Sequence, residues 1–434
     1  MKKLAFLAAL LLIVLALAVF WPRPRPTRFV VGAALPPGKV SPQLVSTWDW
    51  AVLLAPDGSL WGWGGGYSQM PDVFAQGTTT QIPKRIGQGS DWSRIAASHM
   101  HMLALKSDGS LWGFGGNASG QLAQAGPTNR YTVPVRIGRD KWSQISVGAG
   151  HSLGLKTDGS LWAWGQNDRG QVGDGTRSNK FSPTRIGSDT DWKAIQAGDF
   201  NSFALKRDGT LWGWGLDPIT GGSVDSLVPA PIDEATNWVA MSSGDYCLLA
   251  LKSDGTLWLH GQNASSAAPD FASASVPAFV QVGKDTDWAE VDTGQGYFFA
   301  RKRDGSWWVC GSDSSGELGL GAAKPITSPQ RCAFDFDPWA FSCGYANTAL
   351  LTRDGVLWTW GQRLGSYGNP RAPTRWSRFL KLVPNFLLRH FYRTSDRIID
   401  VEPHWLWELP REVRRSLGTN REAQRPTNST NGHE

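Results

Sequence analysis

Two histidines two residues apart, His99 and His101 in the run HMHM, have the spacing that puts both rings on one face of a strand, and such a pair is a nucleus for a metal site. Asp168 and Asp174 in NDRGQVGDG are oxygen donors of the kind a calcium loop uses. Asp199 or Asp245 with His99 would make a carboxylate and imidazole pair for acid–base hydrolysis, provided the fold brings opposite parts of the chain to one pocket. Each has a plainer reading. His101 has a counterpart in His151, so it holds a regular position and is expected to hydrogen-bond locally. The counterparts of the two aspartates elsewhere, such as Ala118 and Ser314, are not acidic, which favours a surface turn. The chain has no nucleophile elbow, no H-E-x-x-H, no P-loop and no dinucleotide fingerprint opening a helix. The expectation is a protein that is not an enzyme, with no catalytic residues, no metal and no cofactor.

The elements that would hold these residues come from a repeat. The stretch HSLGLKTDGSLWAWGQN, from His151 to Asn167, recurs in near-copies seven times. Its Asp-Gly pair falls at Asp57, Asp108, Asp158, Asp208, Asp254, Asp304 and Asp354, so successive spacings are 51, 50, 50, 46, 50 and 50 residues. Spacing that regular means an array of equal units. In LGLKTDGSLWAW, apolar and small or polar residues alternate on both sides of Asp158-Gly159, which predicts a β-hairpin. An Asp-Gly pair suits a two-residue type I′ loop, where both residues need positive φ. Sixteen residues before the Asp comes a Trp, at Trp92, Trp142, Trp192, Trp238 and Trp288, heading a strand that enters the hairpin. A Pro-containing stretch precedes each such Trp, as in PKRIG, PVRIG and PTRIG, and its missing donor suits an edge strand. Four strands per unit and seven units predict an all-β, seven-bladed β-propeller. One Trp per unit, at Trp61, Trp112, Trp162, Trp212, Trp258, Trp308 and Trp358, is expected to fill the wedge between blades.

The pattern G-x-x-H-S-L-x-L-K-x-D-G-x-L-W-x-W-G-x-N, followed by G-Q-V-G at Gly170 to Gly173, resembles the repeat of the regulator-of-chromosome-condensation propeller family over roughly residues 41 to 376. The copies around Asp57, Asp208, Asp254 and Asp354 lack a clear G-Q-L-G segment, Ser41 replaces the strand Trp of the first copy, and Trp339 is displaced by one. The resemblance implies a seven-bladed ring. It also implies partner binding through loops on one face, as in a secreted β-lactamase-inhibiting protein and in a nucleotide-exchange factor for a small GTPase. Only the position of those loops carries over.

Outside the repeats the chain changes character. Residues 4–21 are an uninterrupted apolar run long enough to cross a hydrocarbon core, so residues 1–28 are expected to be a signal peptide or a single transmembrane anchor, with Ala16-Leu17-Ala18 supplying an A-x-A cleavage pattern for the former. Either way the propeller is expected outside the cytoplasm, at the cell membrane or as a secreted or periplasmic protein. Residues 29–43 read as a linker, residues 44–376 as the propeller with Pro373 to Trp376 as its last outer strand, and residues 377–434 as a basic, aromatic extension with a polar end. The net charge of +6 belongs to the ends: residues 29–361 hold 25 Lys and Arg against 30 Asp and Glu, which disfavours nucleic acid as a partner. Four cysteines make no disulfide framework. Cys247 stands at a His position and Cys310 at a Trp position, leaving Cys332 and Cys343 as the candidate pair in an exported protein.

The copies vary informatively at the two residues before the repeat's His: Trp48-Asp49, His99-Met100, Ala149-Gly150, Asp199-Phe200, Asp245-Tyr246, Gln295-Gly296 and Tyr345-Ala346. These occupy the turn between the Trp strand and the hairpin, and equivalent turns of a propeller emerge on one rim. A ring rich in aromatic and acidic residues has the composition of a protein interface. The reading is a monomeric, non-catalytic propeller that binds a protein partner through Trp48, Asp49, His99, Met100, Asp199, Phe200, Asp245, Tyr246, Gln295 and Tyr345. Its rivals are a secreted carbohydrate or cell-wall binder and a hydrolase with a site on the axis.

Overall fold

The computed structural model describes residues 27–28 and 39–361, apart from 66–79, 127, 217–224, 245–246, 262–275, 321–324, 333–337 and 354–356. These residues form seven four-stranded antiparallel sheets, six of them simple up-and-down meanders and the seventh completed by a strand from the start of the chain, which are the blades of a propeller. Blade 3 shows the plan: inner strand Trp142–Val147, second strand His151–Lys156, third strand Leu161–Gly165 and outer strand Lys180–Arg185. The Pro-containing stretch is the outermost strand of its blade, where one side of the ladder is open and the missing N–H costs nothing. Among the described residues there is no helix, and none is long and apolar enough to cross a membrane. The apolar run 4–21, the strand expected at 373–376 and the extension 377–434 lie outside the described residues.

The hairpin inside each blade is made differently from the expectation. Gly159 is the residue with positive φ, at 83°, while Asp158 keeps an ordinary backbone. Gly159 N donates to Lys156 O (3.0 Å) and Lys156 N donates to Ser160 O (3.1 Å), so the loop has three residues, a type I turn completed by a left-handed Gly. The Asp is there for its carboxylate. Asp158 Oδ1 accepts from Ser160 N (2.9 Å) and Ser160 Oγ (2.6 Å), and Ser160 Oγ accepts from Trp162 Nε1 (2.9 Å). The same turn and indole relay recur at Asp57, Ser59 and Trp61, at Asp208, Thr210 and Trp212, and at Asp254, Thr256 and Trp258. This relay is the physical content of D-G-[ST]-L-W.

Neighbouring blades are stapled by residues one repeat apart. His101 Nε2 meets Ser152 Oγ of the next blade at 2.8 Å, and Ser152 Oγ donates to Gln121 O (2.9 Å), which also accepts from Trp164 Nε1 (2.9 Å). His151, Ser202, Gln171 O and Trp214 repeat the set one blade on. The regular His bonds across the blade boundary, with His101 also meeting Ser98 Oγ locally through Nδ1 (3.3 Å), and H-S, G-Q-L-G and the second Trp of W-x-W are parts of one joint. Burial holds His101 and His151 neutral, each with its pKa lowered to about 3.

The wedge between blades is filled by the second aromatic of W-x-W. Trp164 and Phe114 are fully buried, whereas Trp162 is only half-buried. The first Trp lies edge-on to the inner-strand Trp, as in Trp142 and Trp162 at 6.3 Å and 81°. Lys156 Nζ sits 3.5 Å from the Trp162 ring centre and 3.1 Å from Asp140, an arrangement repeated at Lys106, Lys206 and Lys302. The expectation is corrected for Trp112, Trp162, Trp212, Trp258 and Trp308, which are half-buried beside their turns, and it holds for Trp61 and Trp358, which are buried in the core.

Ring closure joins blade 7 to blade 1 twice. On the inside Ser46 N donates to Ser342 Oγ (3.0 Å) and Asn347 Nδ2 to Thr47 O (2.9 Å). On the outside the fourth strand beside Leu357–Gly361 is Thr27–Arg28, with Thr27 opposite Thr359 and Arg28 opposite Trp358. In blade 7 the strand Pro338–Cys343 puts Pro338 in the register of the inner Trp, which explains the displaced Trp339. All four cysteines are free thiols. Cys332 follows the outer strand of blade 6 while Cys343 ends the inner strand of blade 7, so the two candidate cysteines stand at opposite edges of neighbouring blades and do not pair.

Candidate partner-binding face

Each inner strand returns into the second strand through a two-residue loop. Thr47 N donates to Trp50 O (2.9 Å), Ser98 N to His101 O (2.9 Å) and Gly148 N to His151 O (2.9 Å), with Gly198, Gly244, Gly294 and Gly344 doing the same. The loop's two residues are the variable pairs of the sequence. Strands alternate in direction, so all these loops leave at one end of the ring, together with the connections from third to outer strand. The Asp-Gly turns leave at the other end.

The first member of five pairs lines the cavity on the axis: Trp48, His99, Asp199, Gln295 and Tyr345. The cavity measures about 570 Å³ and its walls are the inner strands. Trp48 is the centre of an aromatic arc spanning blades 7, 1 and 2, with its ring stacked on His99 (5.3 Å, 22°) and edge-on to Tyr345 (4.3 Å, 60°). Asp199, on blade 4, faces the same space from another sector. Burial raises its pKa to about 6 and lowers that of His99.

The other members are placed differently. Asp49 is buried, and Met100 and Phe200 are half-buried and do not line the cavity. Asp245 and Tyr246 lie outside the described residues. Blade 3 contributes Gly148 to the wall and presents only Ala149 and Gly150 at its loop, so the rim is low there.

Two acids that a reading of the loops alone does not find, Glu290 and Asp292, enter the cavity from the inner strand Trp288–Thr293. Asp292 occupies the position of Ala96, Ser146, Gln196, Ser242 and Ser342 in the other copies. Three of those serines accept a hydrogen bond from the next blade's inner strand: Ser146 from Ala197 N, Ser242 from Thr293 N and Ser342 from Ser46 N. Asp292 does the same, with Oδ2 accepting from Cys343 N (2.9 Å) and Oδ1 from Ser242 Oγ (3.2 Å). Burial outweighs these bonds and raises its pKa to about 6. Aligning the copies on their inner strands singles out this one charged residue.

The chemical pairs considered from sequence do not assemble. His99 belongs to the aromatic arc while His101 is buried on Ser152, so the two rings serve different contacts. His99 and Asp199 stand on blades separated by a third, and no hydrogen bond or ion pair links them. Asp174 accepts from Asn167 Nδ2 (3.0 Å) and Thr176 Oγ1 (2.8 Å) and pairs with Lys180, while Asp168 accepts from Gln166 Nε2 (2.9 Å). Both aspartates are turn residues.

Residues 108–155 and 158–205 match the model of the regulator of chromosome condensation (RCC1) repeat, and residues 142–171 match a second model of it. These stretches match RCC1-type repeats, and the rest of the ring shows the same blade plan. The matched residues span blades 2 to 4, where the His, Ser and Gln joints are complete. No curated protein matches the sequence. Among solved structures, human WBSCR16 is similar with a TM-score of 0.61 and 19% identity, over 74% of this chain and 87% of that one. Prp20p from Saccharomyces cerevisiae, described with its binding to Gsp1p and histones, is similar with a TM-score of 0.59 and 18% identity, over 78% and 85%. Yeast RCC1 (Prp20) with Kap60 bound gives 0.59 and 18%, over 74% and 80%. At such identities the likeness is one of fold, and it agrees with the seven-bladed ring described above.

Proposed function

We propose that this RCC1-type propeller is a non-catalytic, monomeric protein-binding domain, displayed outside the cytoplasm through residues 4–21, that engages its partner with the face ringed by the inner loops. The observation that carries the reading is the division of labour within each repeat. Residues shared by the copies are spent on turns and blade joints, while the unshared residues Trp48, His99, Asp199, Gln295 and Tyr345 converge on one concave mouth. Aromatic rings at the rim of a depression are the usual anchors of an interface. The neighbours support a binding role, since Prp20p is described as binding Gsp1p and histones.

The test is quantitative crosslinking in the native host, comparing the wild-type chain with the triple variant Trp48→Ala, His99→Ala, Tyr345→Ala. The variant should lose its crosslinked partner while melting at nearly the wild-type temperature. Equal crosslinking by both chains would place the partner elsewhere. Fractionation of the same cells tests display: the intact mass should be recovered in the membrane fraction, and recovery in the cytosol would overturn that part.

A further inference from the structure

We propose that the axial cavity receives a cationic side chain, an arginine or lysine presented by a segment of the protein partner, held between the Trp48 and Tyr345 rings and the carboxylates of Asp199 and Asp292. The inference rests on the protein-binding reading and specifies the chemistry of the occupant.

Three observations lead there. First, the charge of the wall is one-sided: Asp199, Glu290 and Asp292 line the cavity, and among the described residues no lysine or arginine does. Glu290 is paired with Arg301 at 3.4 Å, but no ion pair joins Asp199 or Asp292 to a base among the described residues. Carboxylates held in a partly desolvated space gain most from a cation that arrives with little water of its own. Second, the rim of blades 7, 1 and 2, across the ring from Asp199 and next to the blade of Asp292, is aromatic, and its rings lie against one another through the Trp48 contacts to His99 and Tyr345. Ring faces attract a cation by their quadrupole, so the two walls favour the same charge. Third, the space is of a size that admits a side chain and the turn carrying it, but not a folded element. The Asp292 carboxylate is already oriented by Cys343 N and Ser242 Oγ, so little ordering is left to occur on binding. An acidic partner group would meet repulsion from the same wall.

The same molecule supplies a contrast. On the Asp-Gly face, lysine heads already occupy the equivalent chemistry, each lying over tryptophan rings beside an aspartate, as Lys156 does with Trp162 and Asp140. The repeat thus uses an internal lysine to fill an aromatic and acidic setting at one end of the ring. At the other end aromatic and acidic residues share one cavity, and no lysine lines it among the described residues.

The experiment is calorimetric titration of the purified full-length chain with three blocked pentapeptides, Gly-Gly-X-Gly-Gly, where X is arginine, lysine or citrulline, and with guanidinium chloride. The arginine and lysine peptides should bind saturably, and the citrulline peptide, equal in shape but uncharged, should bind ~10-fold more weakly or not at all. Asp199→Asn and Trp48→Leu should each weaken the arginine peptide ~10-fold, while Asp140→Asn on the opposite face leaves it unchanged; thermal melts confirm that all three variants are folded. Citrulline binding equal to arginine, or arginine binding indifferent to Asp199→Asn, would overturn the proposal. Guanidinium ion binding as tightly as the peptide would make a small cation the occupant and overturn it likewise. If no peptide binds while the Trp48, His99, Tyr345 triple variant still loses its crosslinked partner, the cationic side chain falls and the protein-binding reading stands; if both results are negative, both fall.

Discussion

The two ends of the ring are made by the same repeat and yet differ in kind. At the Asp-Gly end every described blade but the seventh shows the same turn, with an Asp, a Ser or Thr and an indole N–H joined in a relay, and most blades add a lysine over two tryptophans. At the inner-loop end the backbone repeats but the side chains do not: a tryptophan, a histidine, an aspartate, a glutamine and a tyrosine face one cavity. The difference teaches how a repeat protein acquires a site. A side chain that closes a turn or joins two blades recurs from copy to copy, whereas a loop closed by its own backbone lets its side chains differ.

The largest expected effect comes from trading one aromatic residue of each kind. Trp164→Ala removes a fully buried ring that also donates to Gln121 O of the preceding blade, and it should destabilise the ring by about 3–5 kcal/mol. Trp48→Ala, at the mouth, should cost about 1 kcal/mol or less. Chemical denaturation of the two variants checks the contrast, and comparable losses would mean that the mouth is structural after all.

A pH titration of stability sharpens the comparison further. His101 and His151 have folded pKa values lowered to about 3 against 6.5 in the unfolded chain, so the unfolded state binds more protons between these values and stability is lost as the pH falls through that window. Each histidine should cost about 2 kcal/mol on going from pH 7 to pH 5. Asp199 and Asp292 act with the opposite sign. Their folded pKa values are raised to about 6 against 3.8, so the folded state binds more protons between 6 and 3.8 and gains stability as the pH falls through that range. Asp292→Asn keeps an acceptor for Cys343 N but removes this compensation. Its loss of denaturation midpoint from pH 7 to pH 5 should therefore exceed that of the wild type, and an equal loss would contradict the burial assigned to Asp292.

The smallest effect concerns the relay. Ser160→Ala deletes the oxygen that accepts from Trp162 and should cost about 1 kcal/mol in denaturant midpoint, with Ser160→Thr close to wild type because Thr210 and Thr256 already do the same work. Loss in the Thr variant as well would show that the Asp-Gly end is not interchangeable between blades.

Much of the site was legible from the variable pairs. Trp48, His99, Asp199, Gln295 and Tyr345 were singled out by their place in the repeat, and all five line the cavity. Asp49 was singled out on the same ground and is buried, because a loop of two residues turns one side chain toward the axis and the other away from it. Asp292 was missed because it lies on a strand and not in a loop, where a single charged copy among serines is visible only once inner-strand registers are known. The joint of His101, Ser152, Gln121 and Trp164 explains four motif positions together, but its bonded partners are 31 to 51 residues apart in the chain.

The sequence alone determined the number of units, the hairpin in each and the order of strands, because alternation and the Asp-Gly spacing are local properties that every copy states again. It also determined which loops vary. The tertiary structure decided what those local facts could not contain: which side of each turn faces the axis, which His meets which Ser, and that Thr27–Arg28 pairs beside the last strand of the ring. These depend on contacts between residues a repeat or more apart, and a period in the sequence says that units are alike without saying which of their atoms touch.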